Sequence, residues 1–212
     1  MNMALARLIA GQIFLHACMT GMRMATPLLA LREGYSAAAV GVLLALFALT
    51  QVFLALPAGR YADRHGLKRP VGIAVVMACA GAGLSLIFPV FSVMCLSALM
   101  TGGATGLAII ALQRHVGRAA HDTTQLRQVF SWLAIGPAVS NFIGPFFAGL
   151  MIDHAGSTAG STEGYRAAFA LLAVLPLATW FWMRHTEELP PVIAAAGGPP
   201  QRSWDLLNEP AF

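Results

Sequence analysis

Apolar residues fill six long stretches of the chain, near 8–31, 37–56, 71–88, 90–112, 129–152 and 167–183, and polar residues crowd into the breaks between them. Crossing the hydrocarbon core of a bilayer takes about 20 mostly apolar residues in a helix. The stretches have that length and lack the alternation of barrel strands. The pattern therefore predicts an all-α, polytopic transmembrane bundle of six helices within residues 1–185. The breaks carry turn chemistry: Glu33-Gly34, a bare Phe88-Pro89, and a Gly-, Ser- and Thr-rich segment at 154–164. Residues 186–212 are polar and rich in Pro and Gly, the composition of a linker. The first stretch is too long for the core of a signal peptide and is expected to stay as an anchor.

Composition agrees. Of the 212 residues, 58% are hydrophobic and 10% charged, with mean hydropathy +0.70. A soluble domain carries about 25% charged residues, so a disordered chain and a nucleic-acid-binding globule are both excluded. Cys18, Cys79 and Cys95 all fall in apolar stretches without a CxxC pair, and read as buried thiols. The 13 basic residues matter through their placement. With the N-terminus inside, ten of them lie on the cytoplasmic side, only Arg32 and Arg166 lie outside, and Arg23 lies within the membrane. Both termini are expected in the cytoplasm, with the protein in the cell inner (plasma) membrane.

Between the second and third stretches stands Gly59-Arg-Tyr-Ala-Asp63-Arg64-His-Gly66-Leu-Lys68-Arg69. Basic residues alone would satisfy the topology rule; the aspartate and two glycines at these spacings go beyond it. The segment resembles the signature loop of the major facilitator superfamily, roughly G-x-x-x-D-R-x-G-R-R, through Gly59, Asp63, Arg64, Gly66 and Arg69, with Lys68 as a basic replacement. The resemblance implies a six-helix half of that fold, and assigns Asp63 to locking the inner ends of two halves in one of the alternating states.

In the fifth stretch, Ser140-Asn-Phe-Ile-Gly144-Pro145-Phe-Phe-Ala-Gly149 is similar to the G-x-x-x-G-P-x-x-G-G pattern of helix five in many antiporters of the superfamily. Gly136, Ser140, Gly144 and Ala148 line one helix face and permit close packing. Pro137 and Pro145 can bend the helix. This pattern leans toward export. The helix-four stretch Ala98–Gly103 lacks the arginine that the family often carries there.

No Asp or Glu lies inside the six stretches, so a carboxylate proton relay is not available. The polar residues concentrate in the first helix, where Gln12, His16, Thr20, Arg23 and Pro27 fall on one stripe. Arg23 within a membrane costs about 3 kcal/mol and calls for a partner, water or an anionic group. An ordinary imidazole titrates near neutral pH, so His16 is a candidate for proton coupling, or a hydrogen-bonded core residue. With Gln51, Thr101 and Asn141, these residues form the candidate substrate and proton cavity. No metal spacing and no cofactor motif is present.

A membrane enzyme is not expected, since Gly83-Leu-Ser85 with His16 makes a poor protease pair and no histidines cluster. The expected function is alternating-access transport of a small solute, leaning to proton-coupled export. The partners expected are the lipid bilayer, a small-molecule substrate, and a second six-helix half or a second copy of the chain. The alternative is a non-transporting membrane protein, either a scaffold or an inert truncated remnant.

Overall fold

The computed structural model describes residues 3–119, 122–155 and 161–189. The predicted linker beyond residue 189 lies outside them. The described residues are all helical apart from turns, and six helical segments are long and apolar enough to cross a membrane. They are α1 (Met3–Arg32), α2 (Ala37–His65), α3 (Lys68–Ile87), α4 (Phe91–Ala119), the pair α5 (Thr123–Leu133) and α6 (Ile135–Ala155), and α7 (Glu163–Met183).

Two differences from the sequence pattern have clear causes. The fifth span is broken at Ala134, because Pro137 lacks an N–H and its ring crowds the carbonyl of Leu133, four residues back. Asp122 starts α5 by accepting from the Gln125 N–H at 2.7 Å. The second difference is at the signature segment. It is not a loop: α2 continues nine residues past Leu56, and only Gly66 and Leu67 form the turn. Arg, Tyr, Ala and His are tolerable helix residues, and a helix leaving the bilayer satisfies its own backbone as it enters water.

The helices pack as two groups. One brings α1, α6 and α7 together, and the other places α4 against both α2 and α3, with α3 also meeting α7. Hydroxyls tie these seams. Ser85 Oγ bonds Ser97 Oγ at 2.8 Å between α3 and α4, and Thr179 donates to the Gly11 carbonyl at 2.8 Å between α7 and α1. The buried core holds Met22, Leu29, Leu43, Phe47, Leu112 and Phe169 among others. Large side chains of α2 and α6 instead point outward, including Val52, Phe53, Leu56, Phe142 and Phe146. This surface is apolar because lipid or another membrane protein is its solvent.

Candidate functional site

The signature residues converge with one side chain from another helix. Arg114, near the end of α4, donates to the carboxylate of Asp63 near the end of α2, joining residues 51 apart in the chain. To reach it, the guanidinium crosses the face of α2 directly over Gly59. A Cβ there would stand 2.9 Å from Arg114 Nη2 and 3.2 Å from Nε, so a side chain at 59 would push the guanidinium from its present place beside Asp63. Both partners are partly open, with side chains 47% and 33% exposed for Arg114 and Asp63, so the pair is a surface ion pair and not a buried one.

The turn that follows is also specified. Gly66 ends α2 at φ +73°, where a side chain would be strained, and donates to the Ala62 carbonyl at 2.9 Å. Glu188, just after α7, accepts from the backbone N–H of Lys68 at 2.7 Å. It thus caps the first turn of α3, whose own N-cap, Leu67, offers no side-chain acceptor. Arg64 and Arg69 are exposed and Lys68 is half-buried.

The helix-five residues form a seam with α1. Gly136, Ser140, Gly144 and Ala148 are the buried face of α6. Ser140 Oγ lies 3.1 Å from the Ile13 carbonyl, and Thr20 donates back to the Ser140 carbonyl at 2.9 Å. A Cβ on Gly144 would collide with Thr20 Oγ1 and the Ala17 carbonyl, so the two backbones lie in contact. Pro145 sits inside α6 and Pro137 in its first turn, both half-buried. A Cβ on Gly149 would meet only Met24, at 3.6 Å, among the described residues.

The seven cavity candidates do not gather into one site. Thr20 is spent on α6, and Thr101 bonds the Ser97 carbonyl of its own helix at 2.7 Å. Gln51 lies against Gly106 of α4. Arg23 and Asn141 open to the outside of the bundle. Arg23 is therefore not buried within this chain, because no helix of the bundle covers that face of α1. Gln12 and His16 do come together. They border a cavity of about 10 Å³ between α1, α4 and α7, with Thr105, Leu112, Thr179 and Met183. Gln12 Oε1 and His16 Nδ1 are buried without a hydrogen-bond partner among the described residues, and Gln12 Oε1 is turned to Gly136 of α6, where an added Cβ would stand 2.9 Å from it.

Along the same α1–α4 seam, at the basic end, a larger cavity of about 750 Å³ opens. Its polar lining includes Arg7, His115, Gln125, Gln128, His185 and Glu187. Sequence reasoning did not single out Arg114, Thr179, Glu188 or this lining. Arg114 counted only as one basic residue among several, and the available signal was its place at the end of an apolar stretch.

A sequence profile of the Major Facilitator Superfamily matches residues 8–210 of the chain. The chain belongs to this superfamily. It is also 33% identical over 154 residues to the tetracycline resistance protein, class B, of Escherichia coli, a match covering 70% of this chain. The aligned part is 35% of that relative's length, so the chain spans about a third of it. Membership of the superfamily and six apolar spans make this a multi-pass membrane protein in contact with the lipid bilayer.

Proposed function

We propose that the chain is one six-helix half of a secondary transporter. With a second six-helix half, or a second copy, it encloses a small solute and exposes it alternately to the two faces of the membrane. The observation that carries this reading is the Asp63–Arg114 latch seated over Gly59. An exposed ion pair is worth about 0–1 kcal/mol. A latch of that strength suits conformers that must interconvert within a few kcal/mol of each other. It ties the basic ends of α2 and α4 in one state and releases them in the other.

The solute path in this reading follows the α1–α4 seam, from the wet cavity at Arg7 and His115 to Gln12 and His16. Their unpartnered polar atoms are groups that a solute or a water can satisfy. The basic end faces the cytoplasm by the positive-inside rule. His16 is the candidate coupling group for proton-driven export, since no carboxylate lies within the six apolar stretches of the sequence. Tetracycline is the first solute to try, given what the relative's name says of that protein.

The test is accumulation of labelled tetracycline in proteoliposomes under an imposed pH gradient. Parent, Asp63→Asn and His16→Leu would be compared, with and without a co-reconstituted second half. Gradient-driven accumulation by the parent, lost in Asp63→Asn, supports the proposal. Absence of movement of tetracycline and of a panel of small organic solutes in every combination overturns it in favour of a scaffold.

A further inference from the structure

A groove of about 520 Å³ runs down the outside of the bundle between α3 and α7, starting at the basic end. Its upper rim carries Lys68, Arg69 and Tyr61, and its wall is Gly72, Ile73, Val76 and Trp180. Positions 69, 72, 73 and 76 follow the i, i+3, i+4, i+7 spacing of one helix face. Gly72 makes the hollow: a Cβ there would sit 3.3 Å from the Trp180 ring. Ile73 and Val76 are 42% and 68% exposed, so the groove opens to the surroundings of the bundle and not into it.

We infer that this groove is a binding site for one anionic phospholipid of the leaflet at the basic face. Three features select that occupant. From Lys68 to Met77 the groove descends about 13 Å, close to the ~15 Å half-thickness of a hydrocarbon core. Its lower wall is wholly apolar, as an acyl chain requires, and the wall includes Trp180, a residue type enriched at membrane interfaces, with its ring over Gly72 about one helical turn from Lys68. Its rim offers two cationic side chains without an ion-pair partner among the described residues. The neighbouring carboxylate, Glu188, is engaged by the Lys68 backbone N–H. The lipid phosphate bridges Lys68 and Arg69, and one acyl chain lies over Gly72 between Ile73 and Trp180. This site is separate from the α1–α4 seam, and its occupancy does not depend on what the protein transports.

The experiment reads Trp180 fluorescence in a W132F/W182F/W204F chain in phosphatidylcholine vesicles. Brominated phosphatidylglycerol or brominated phosphatidylcholine is titrated in as the quencher, over the same range of mole fractions. Half-quenching should come at about thirtyfold less phosphatidylglycerol, the preference given by two cationic groups at the headgroup level (about 2 kcal/mol). K68Q/R69Q should remove most of that preference, whereas R60Q/R127Q, which takes the same charge from the same face outside the groove, should keep it. Gly72→Leu should reduce quenching by both lipids, because the chain no longer fits. Equal half-quenching by the two lipids in the parent overturns the inference. So does loss of the preference to the same extent in K68Q/R69Q and R60Q/R127Q, which assigns it to the general surface potential.

Discussion

Helix α1 presents two flanks that are built in opposite ways. Toward α6 it is stitched: Ser140 and Thr20 exchange bonds with backbone carbonyls across the seam, and Gly144 brings the two helices into backbone contact. Toward α4 it is loose, with a small cavity, a larger one with a polar lining, and the unpartnered Nδ1 of His16; Gln12 borders the small cavity as well, with its unpartnered Oε1 turned to Gly136 of α6. In a bilayer no hydrophobic force drives helices together, so close packing and interhelical hydrogen bonds hold a seam shut. The α1–α6 seam has both. The α1–α4 seam has cavities and, at His16, a polar atom kept out of bonds, and a seam of that kind is where a bundle can open.

The largest expected break in this contrast is Gly144→Val. Its new methyl groups meet the α1 backbone, which cannot yield as a flexible side chain could, and the cost should be about 3 kcal/mol or more. Thermal unfolding in detergent would show it as loss of a monodisperse bundle; a melting temperature close to the parent's would mean that the backbones are not in contact. Next comes Ser140→Ala, with an expected loss of about 1 kcal/mol for the bonds to Ile13 and within α6.

Asp63→Asn should cost less than about 1 kcal/mol, since the pair with Arg114 is exposed. Transport should nevertheless be lost, so stability and accumulation measured on one preparation would separate. If both fall together, the pair is only a structural tie. The smallest effect, and of the opposite sign, is expected for Gln12→Leu. Replacing an unpartnered buried acceptor by an apolar group of similar size should be neutral, or stabilise by up to about 1 kcal/mol. A loss as large as that of Ser140→Ala would show that Gln12 is bonded after all.

The spans were legible in the sequence because a membrane helix satisfies its backbone internally and advertises itself by length and hydropathy. The ends were less so. Charge marked 57–70 as a loop, yet α2 runs through Gly59 and Asp63 to His65, since charged residues stop a span without stopping a helix. The break before Pro137 was visible only as a proline, with nothing to say that a short helix, Thr123–Leu133, would precede it.

The site was half legible. Spacing marked Asp63 and Gly59, but the side chain that lies over both, Arg114, comes 55 residues after Gly59, and pairings at that distance need the tertiary fold. The polar stripe of α1 was visible too, but a stripe gives an angle and not a neighbour. Thr20 faces α6, Gln12 and His16 border the cavity beside α4 and α7, and Arg23 lies uncovered.

The central claim is that the α1–α4 seam opens to water while the α1–α6 seam does not. Cysteine accessibility tests it directly, in a chain whose Cys18, Cys79 and Cys95 are replaced by alanine. Leu15 and Leu112 on the first seam are 2% and 1% exposed, and Ala17 and Ala148 on the second are both 0% exposed, so all four are shielded at rest. With single cysteines at these positions, a membrane-impermeant maleimide should label Leu15→Cys and Leu112→Cys well ahead of Ala17→Cys and Ala148→Cys. Equal rates at the two seams, or faster labelling at Ala17 and Ala148, would contradict the account.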